Sequence, residues 1–137
     1  MTLDRRSFIK VLGSASGLAL AGCAAQGPVG STTEIMPKGA TRRVVVVGGG
    51  FGGAIAAKYI RMLDKSIEVV LVEQNRQFIS CPFSNFYIAG LMNDMSTLTI
   101  GYDKLAANHG IKMVYGVATA IDPAAKKVVT TEGTLTY

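Results

Sequence analysis

Gly48, Gly50 and Gly53 form a Gly-x-Gly-x-x-Gly pattern inside the block Gly48-Gly49-Gly50-Phe51-Gly52-Gly53, and Glu73 follows 20 residues after Gly53. A dinucleotide pyrophosphate needs backbone N–H groups at close range, which a residue without Cβ permits. In such a site Gly48 allows a sharp exit from a strand. Gly50 admits the pyrophosphate, and Gly53 lets a helix pack closely on the strand. Glu73 can accept hydrogen bonds from both ribose hydroxyls and repels a 2′-phosphate. Gly49, Phe51 and Gly52 complete the cofactor-binding set within the block. The fingerprint serves FAD and NAD alike. A Gly-rich turn without a ligand is the alternative.

Cys81 is the second chemically suggestive residue. It opens Cys81-Pro82-Phe83-Ser84-Asn85-Phe86-Tyr87-Ile88-Ala89-Gly90. Pro82 fits the first turn of a short helix and Gly90 its C-terminal cap. This predicts Cys81 at a helix N-terminus, where the dipole favours a thiolate. From the residues alone, Cys81 is a reactive thiol, half of a disulfide (with Cys23 only if that residue is neither cleaved off nor lipidated), or a buried inert thiol.

These residues need particular elements to position them. The run 42–47 is β-branched without alternation, which predicts a strand buried on both faces of a parallel sheet. Residues 54–63 predict a helix with Ile55, Tyr59 and Met62 on one face. Residues 67–72 predict a second strand ending at Glu73. Further on, 101–108 predicts a helix closed by His109-Gly110, with His109 a C-terminal residue favoured by the dipole. Residues 111–121 predict a strand bent at Gly116, followed by a turn at 122–125 and strands at 126–131 and 134–137. The fold class expected is α/β, a Rossmann-like dinucleotide-binding domain over 42–137.

The composition narrows the alternatives. At 49% hydrophobic and 17% charged, the 137 residues do not form a disordered tail. Two cysteines and one histidine exclude a disulfide-stapled mini-protein and a His-rich or four-cysteine metal centre. The net charge is +5, of which two positive charges lie within residues 1–22 (Arg5, Arg6 and Lys10 against Asp4). No Lys/Arg cluster interleaves with aromatics, so nucleic acid is not an expected partner.

The first segment reads as an address. Arg5-Arg6-Ser7-Phe8-Ile9-Lys10 precedes a short apolar stretch from Val11 to Ala21 that is too weak to span a membrane. Residues 1–22 resemble a twin-arginine signal, which implies a periplasmic protein exported already folded. Leu20-Ala21-Gly22-Cys23 resembles a lipobox, making Cys23 a lipidation candidate with a possible lipid anchor to a membrane; cleavage after Ala21 is the competing reading. Residues 23–41 read as a linker. An exported protein favours FAD, which stays bound, over diffusible NAD.

Taken together, the chain resembles the flavoprotein subunit of flavocytochrome c sulfide dehydrogenase over Thr2 to Tyr137. The resemblance rests on the arginine motif, on Val44–Ala54, on Ala56-Ala57-Lys58-Tyr59-Ile60, and on Cys81-x-x-Ser84-Asn85. It continues through Gly101-Tyr102-Asp103, His109-Gly110-Ile111 and Ile121-Asp122-Pro123. It implies several things. FAD is held covalently by a thioether from Cys81 to the flavin 8α-methyl. A β-meander is inserted in the FAD domain, with the backbone near Ala118 against the adenine. Electrons pass from a small sulfur substrate, sulfide, through FAD to a c-type cytochrome subunit. A redox disulfide, a second dinucleotide fold and the strand closing the FAD site all belong beyond residue 137. The sequence is thus expected to be an N-terminal fragment, incomplete at its C-terminus and without catalytic residues of its own. Pro82 and Phe83 depart from the family's motif. A sulfide:quinone or NADH:quinone flavoprotein with dissociable FAD, and a non-catalytic flavin-binding module, remain alternatives.

Overall fold

A computed structural model describes residues 33–36, 39 and 42–137. The twin-arginine segment, Cys23 and most of the expected linker lie outside the described residues.

β1 (Arg43–Val47), β2 (Glu68–Glu73) and β5 (Lys112–Tyr115) form a parallel sheet in the order β1-β2-β5. Val45 pairs with Val70, and Leu71 with Met113. The central strand explains why a continuous apolar run was needed. Val69 and Leu71 of β2 face one core, with Ala57, Tyr102 and Ile111. Val70 and Val72 face the other, with Val114, Val128 and Leu135. Side chains alternate across a strand, so a strand covered on both faces must be apolar at every position.

The first core is roofed by α1 (Phe51–Leu63) and α3 (Asp103–His109). The second is covered by an antiparallel meander of β6 (Ala118–Asp122), β7 (Lys127–Thr130) and β8 (Thr134–Thr136). The expected single strand over 111–121 is therefore two strands in different sheets. Gly116 makes the break: its N–H donates to the Glu73 carbonyl at 3.0 Å, and a Cβ there would come within 2.9 Å of Glu132 and Thr131.

Two further expectations, the starts of the two longer helices, are corrected. α1 begins at Phe51 and includes Gly52 and Gly53, three residues earlier than predicted. Ile55, Tyr59 and Met62 share a face, but it points away from the sheet, each side chain being about half exposed. The face that packs carries Gly53, Ala57 and Ile60, with glycine at 53 because the helix comes closest to the chain there. The helix after residue 100 starts at Asp103. Residues Thr99–Gly101 form β4, which pairs with β3 (Gln77–Ile79) in a small hairpin not legible in the sequence. Gly110 closes α3 in the left-handed conformation (φ 63°), as the sequence implied.

Residues 33–36, inside the segment read as linker, are bound to the domain. The Ile35 N–H donates to the Thr134 carbonyl at 3.0 Å, and the Thr134 N–H donates to the Thr33 carbonyl at 2.8 Å. Ile35 and Met36 add to the second core. A charge cluster fixes this strap. Buried Arg43 donates to Glu68 at 2.6 Å, to the Met36 carbonyl at 2.9 Å and to the Thr136 carbonyl at 3.0 Å, and lies 3.5 Å from Glu34. Lys112 completes the pairing of Glu68.

Candidate functional site

β1 delivers its chain end into the glycine turn at the carboxyl edge of the sheet. Gly48 takes φ 93°, which turns the chain sharply out of the strand, and its N–H still donates to the Val72 carbonyl at 2.8 Å. A Cβ on Gly53 would lie 1.8 Å from the Gly48 carbonyl oxygen, so glycine there is demanded by the helix packing. Gly50 differs. Its backbone is ordinary (φ −61°, ψ −176°), and a Cβ would meet nothing closer than Phe78 at 3.9 Å. The protein itself does not require glycine at 50; the space in front of it suits a pyrophosphate approaching the N-terminus of α1. Gly52 likewise faces open space.

Glu73 ends β2 and turns back over the turn. Its Oε2 accepts the Gly49 N–H at 2.6 Å and its Oε1 accepts the Asn75 N–H at 2.9 Å. Beside it is an open cleft of about 230 Å³, lined by Val47, Gly48, Glu73, Gly116, Val117 and Ala118 among others. The structure thus brings Ala118, 45 residues away in sequence, to the acid that the fingerprint pointed to. A bulge in β6 between Ala118 and Ala120 shapes this rim.

β3 carries the chain from Glu73 across the mouth of the turn. Phe78 packs edge-on against Phe51, with ring centres 4.9 Å apart. Cys81 follows three residues later, within about 10 Å of chain from Phe78, as a free and exposed thiol. Exposure removes the buried, inert alternative. Its expected place at a helix N-terminus is corrected: α2 is Ser84–Ile88, and Cys81 precedes it in a turn closed by the Ser84 N–H and the Cys81 carbonyl at 3.0 Å. Ser80 anchors the approach, donating its N–H to Leu98 at 2.8 Å. Pro82 and Phe83 are the central residues of the turn, and Phe83 is left-handed (φ 69°, ψ −2°), a type II geometry that normally takes glycine. That conformation costs a non-glycine residue roughly 1–2 kcal/mol. Phe83→Gly is therefore expected to raise Tm slightly, less the loss of its ring contact with Phe86 (5.9 Å); an unchanged or lower Tm would show that the contact outweighs the strain. Gly90 caps α2 with φ 72°, as expected.

His109 stays outside the cleft. Its carbonyl accepts Arg61 Nε at 3.0 Å, in keeping with a structural role at the end of α3. One residue that matters was given no site role in the sequence. Tyr102, buried under the glycine turn, donates its hydroxyl to the Gly49 carbonyl at 3.1 Å. Only a lone aromatic before an acidic helix start marked it, and its reach across 53 residues is a tertiary fact.

A strand, a glycine turn shaped around open space, a helix N-terminus and an acid at the end of the next strand define the dinucleotide-binding domain of an oxidoreductase. Residues 42–137 match the family model described as pyridine nucleotide-disulphide oxidoreductase, and the chain belongs to that family. FAD is the cofactor that this membership supports. The chain is similar to the sulfide dehydrogenase (flavocytochrome c) flavoprotein chain of Chlorobaculum thiosulfatiphilum, 69% identical over 45 residues, which are 33% of this chain and 94% of that sequence. It is 32% identical over 92 residues to a probable ferredoxin reductase of Castellaniella defragrans, covering 65% of this chain and 22% of that one. Among solved structures, the sulfide:quinone oxidoreductase of Aquifex aeolicus is similar with TM-score 0.63 and 26% identity, over 70% of this chain and 22% of that chain. An NAD-dependent persulfide reductase from A. fulgidus is similar with TM-score 0.63 and 27% identity, over 69% of this chain and 20% of that chain. The chain thus spans about a fifth of the length of these longer relatives.

Proposed function

We propose that this chain is the FAD-binding part of a sulfide dehydrogenase that passes electrons from sulfide to a c-type cytochrome. The observation that carries this reading is Cys81: an exposed thiol in a hydrogen-bonded turn, just after the strand that packs on the glycine turn. In the proposed complex the N–H groups at the start of α1 hold the pyrophosphate, Glu73 holds the ribose, and the rim at Ala118 faces the adenine. Cys81 Sγ would hold the flavin as a thioether to its 8α-methyl carbon, the new C–S bond replacing the thiol S–H and one methyl C–H while the electron pair released passes to the flavin itself. The bound FAD supplies acceptance of an electron pair and its release one electron at a time. A thioether keeps the flavin from being lost outside the cell, which accords with the twin-arginine address at Arg5 and Arg6. The sulfur relative and the sulfide:quinone neighbour support a reduced sulfur substrate. Cys23 is the proposed site of lipidation.

The test uses full-length protein, precipitated in acid and digested with trypsin. The peptide Gln77–Lys104 is expected to be yellow and heavier by a flavin at Cys81. Cys81→Ser is expected to release all flavin to the supernatant. Sulfide is expected to reduce cytochrome c in preference to a quinone. A colourless Gln77–Lys104 peptide with a free thiol, together with quinone reduction, would replace this reading by a sulfide:quinone enzyme with dissociable FAD.

A further inference from the structure

We propose that Tyr102 is a positioning residue for the dinucleotide: its phenol holds the carbonyl of Gly49, the residue whose N–H holds Glu73, and by fixing the backbone there it aims Glu73 at a ribose diol and sets the discrimination against a 2′-phosphate. The proposal rests on reading the cleft as a dinucleotide site. Three observations converge on it. The Tyr102 hydroxyl donates to the Gly49 carbonyl at 3.1 Å, and the N–H of the same residue donates to Glu73 Oε2 at 2.6 Å. A Cβ on Gly49 would come within 2.6–2.8 Å of the Tyr102 hydroxyl and ring. Tyr102 is only 3% exposed, so its ring sits inside the fold directly beneath Gly49.

Position 49 is a free position in Gly-x-Gly-x-x-Gly, and the turn geometry alone does not reserve it for glycine. Tyr102 does, by filling the space of a side chain. Its hydroxyl then holds one face of the Gly49 residue while the Glu73 carboxylate holds the other. Asn75 holds the second oxygen of Glu73 at 2.9 Å. A carboxylate has about four acceptor positions. Two are spent on these backbone donors, which fix the rotamer, and the remainder stay free for a ligand. A carboxylate fixed in this way loses little freedom on binding a diol, and its charge cannot swing away from a 2′-phosphate. Burial first, then the charge of Glu73 and the neighbouring Tyr115, push the Tyr102 phenol up, so it remains a donor at alkaline pH.

The test uses full-length protein carrying Cys81→Ser, freed of flavin, with ADP and 2′-phospho-ADP titrated by calorimetry and Tm recorded alongside. Tyr102→Phe keeps the ring and removes the donor. It is expected to bind ADP about 5-fold more weakly, within the range of one hydrogen bond. The preference for ADP over 2′-phospho-ADP is expected to narrow, with Tm within about 2 °C. Gly49→Ala is expected to lose ADP binding, and to recover part of it when Tyr102→Ala opens the space. Unchanged affinity and preference in Tyr102→Phe would overturn the proposal. So would an equal loss for both ligands with a large fall in Tm, which marks a structural role only. Absence of ADP binding before Tyr102 is altered would overturn the dinucleotide reading itself.

Discussion

Gly53→Ala is expected to lose nearly all bound flavin and to destabilise the protein by about 3 kcal/mol or more. Two effects oppose each other. Alanine gains roughly 1 kcal/mol of helix propensity over glycine. Against this, its Cβ would lie 1.8 Å from the Gly48 carbonyl oxygen and 3.0 Å from the Gly48 carbonyl carbon. Both atoms are backbone, so no side chain can move aside. α1 must shift outward, which breaks the packing of Ala57 on the sheet and moves the N–H groups at its start. The clash wins. Two neighbours serve as controls. Gly52→Ala meets nothing within 4 Å and is expected to be neutral or slightly stabilising. Gly50→Ala meets only Phe78 at 3.9 Å, so Tm is expected to hold while flavin binding weakens. Thermal melts, with flavin binding titrated in the Cys81→Ser background so that the proposed thioether does not retain the cofactor, separate these cases. A Gly50→Ala protein that binds flavin normally would remove the pyrophosphate from that position.

Glu68 is expected to make the fold sensitive to acid. Burial works against its charged form, but hydrogen bonds and charge from Arg43 and Lys112 outweigh it and hold the carboxyl at about 2, below the ordinary 4.5. A depressed carboxyl stabilises the fold above its unfolded value and loses that contribution as pH falls. The window therefore runs from about pH 4.5 down to about pH 2. The difference is worth about 3 kcal/mol. Glu68→Gln is expected to lower stability at pH 7 by a similar amount and to flatten its decline between pH 5 and pH 2. Glu68→Ala is expected to cost about 3–5 kcal/mol, because the buried Arg43 guanidinium loses its nearest carboxylate. Urea titrations at pH 7 and pH 3 measure both. Parallel acid profiles for the native and Glu68→Gln proteins would show that this pair does not govern acid stability. The strap at 33–36 is expected to loosen with it, since Arg43 also ties Met36 and Glu34.

The glycine turn was legible because its requirements are local. Gly48 needs a positive φ, and Gly53 needs contact with a residue five positions away. The parallel sheet was legible because Val44–Val47 and Val69–Val72 lack alternation. Which face of α1 packs was not legible for a related reason. Periodicity marks bulky residues, while this helix makes its closest approach through Gly53 and Ala57 and turns only Ile60 of its large side chains onto that core. The helix expected from Gly101 failed because β4 gains its partner from β3, over 20 residues back. The short helix expected to start at Pro82 starts at Ser84, because Pro82 serves a turn instead.

By itself, then, the sequence determined the βαβ unit and the tight glycine turn between its strand and helix, and pointed to Glu73 and Cys81 as the residues to test. These depend on residue type and spacing within about 30 positions, where chain geometry leaves few alternatives. Only the tertiary structure decided that Ala118 shares a cleft with Glu73, that Tyr102 reserves position 49 for glycine, and that Arg43 binds the strap to the sheet. Each joins residues far apart in the chain. Such pairings are chosen by burial of the two faces of β2, a property of the assembled layers that no single segment carries.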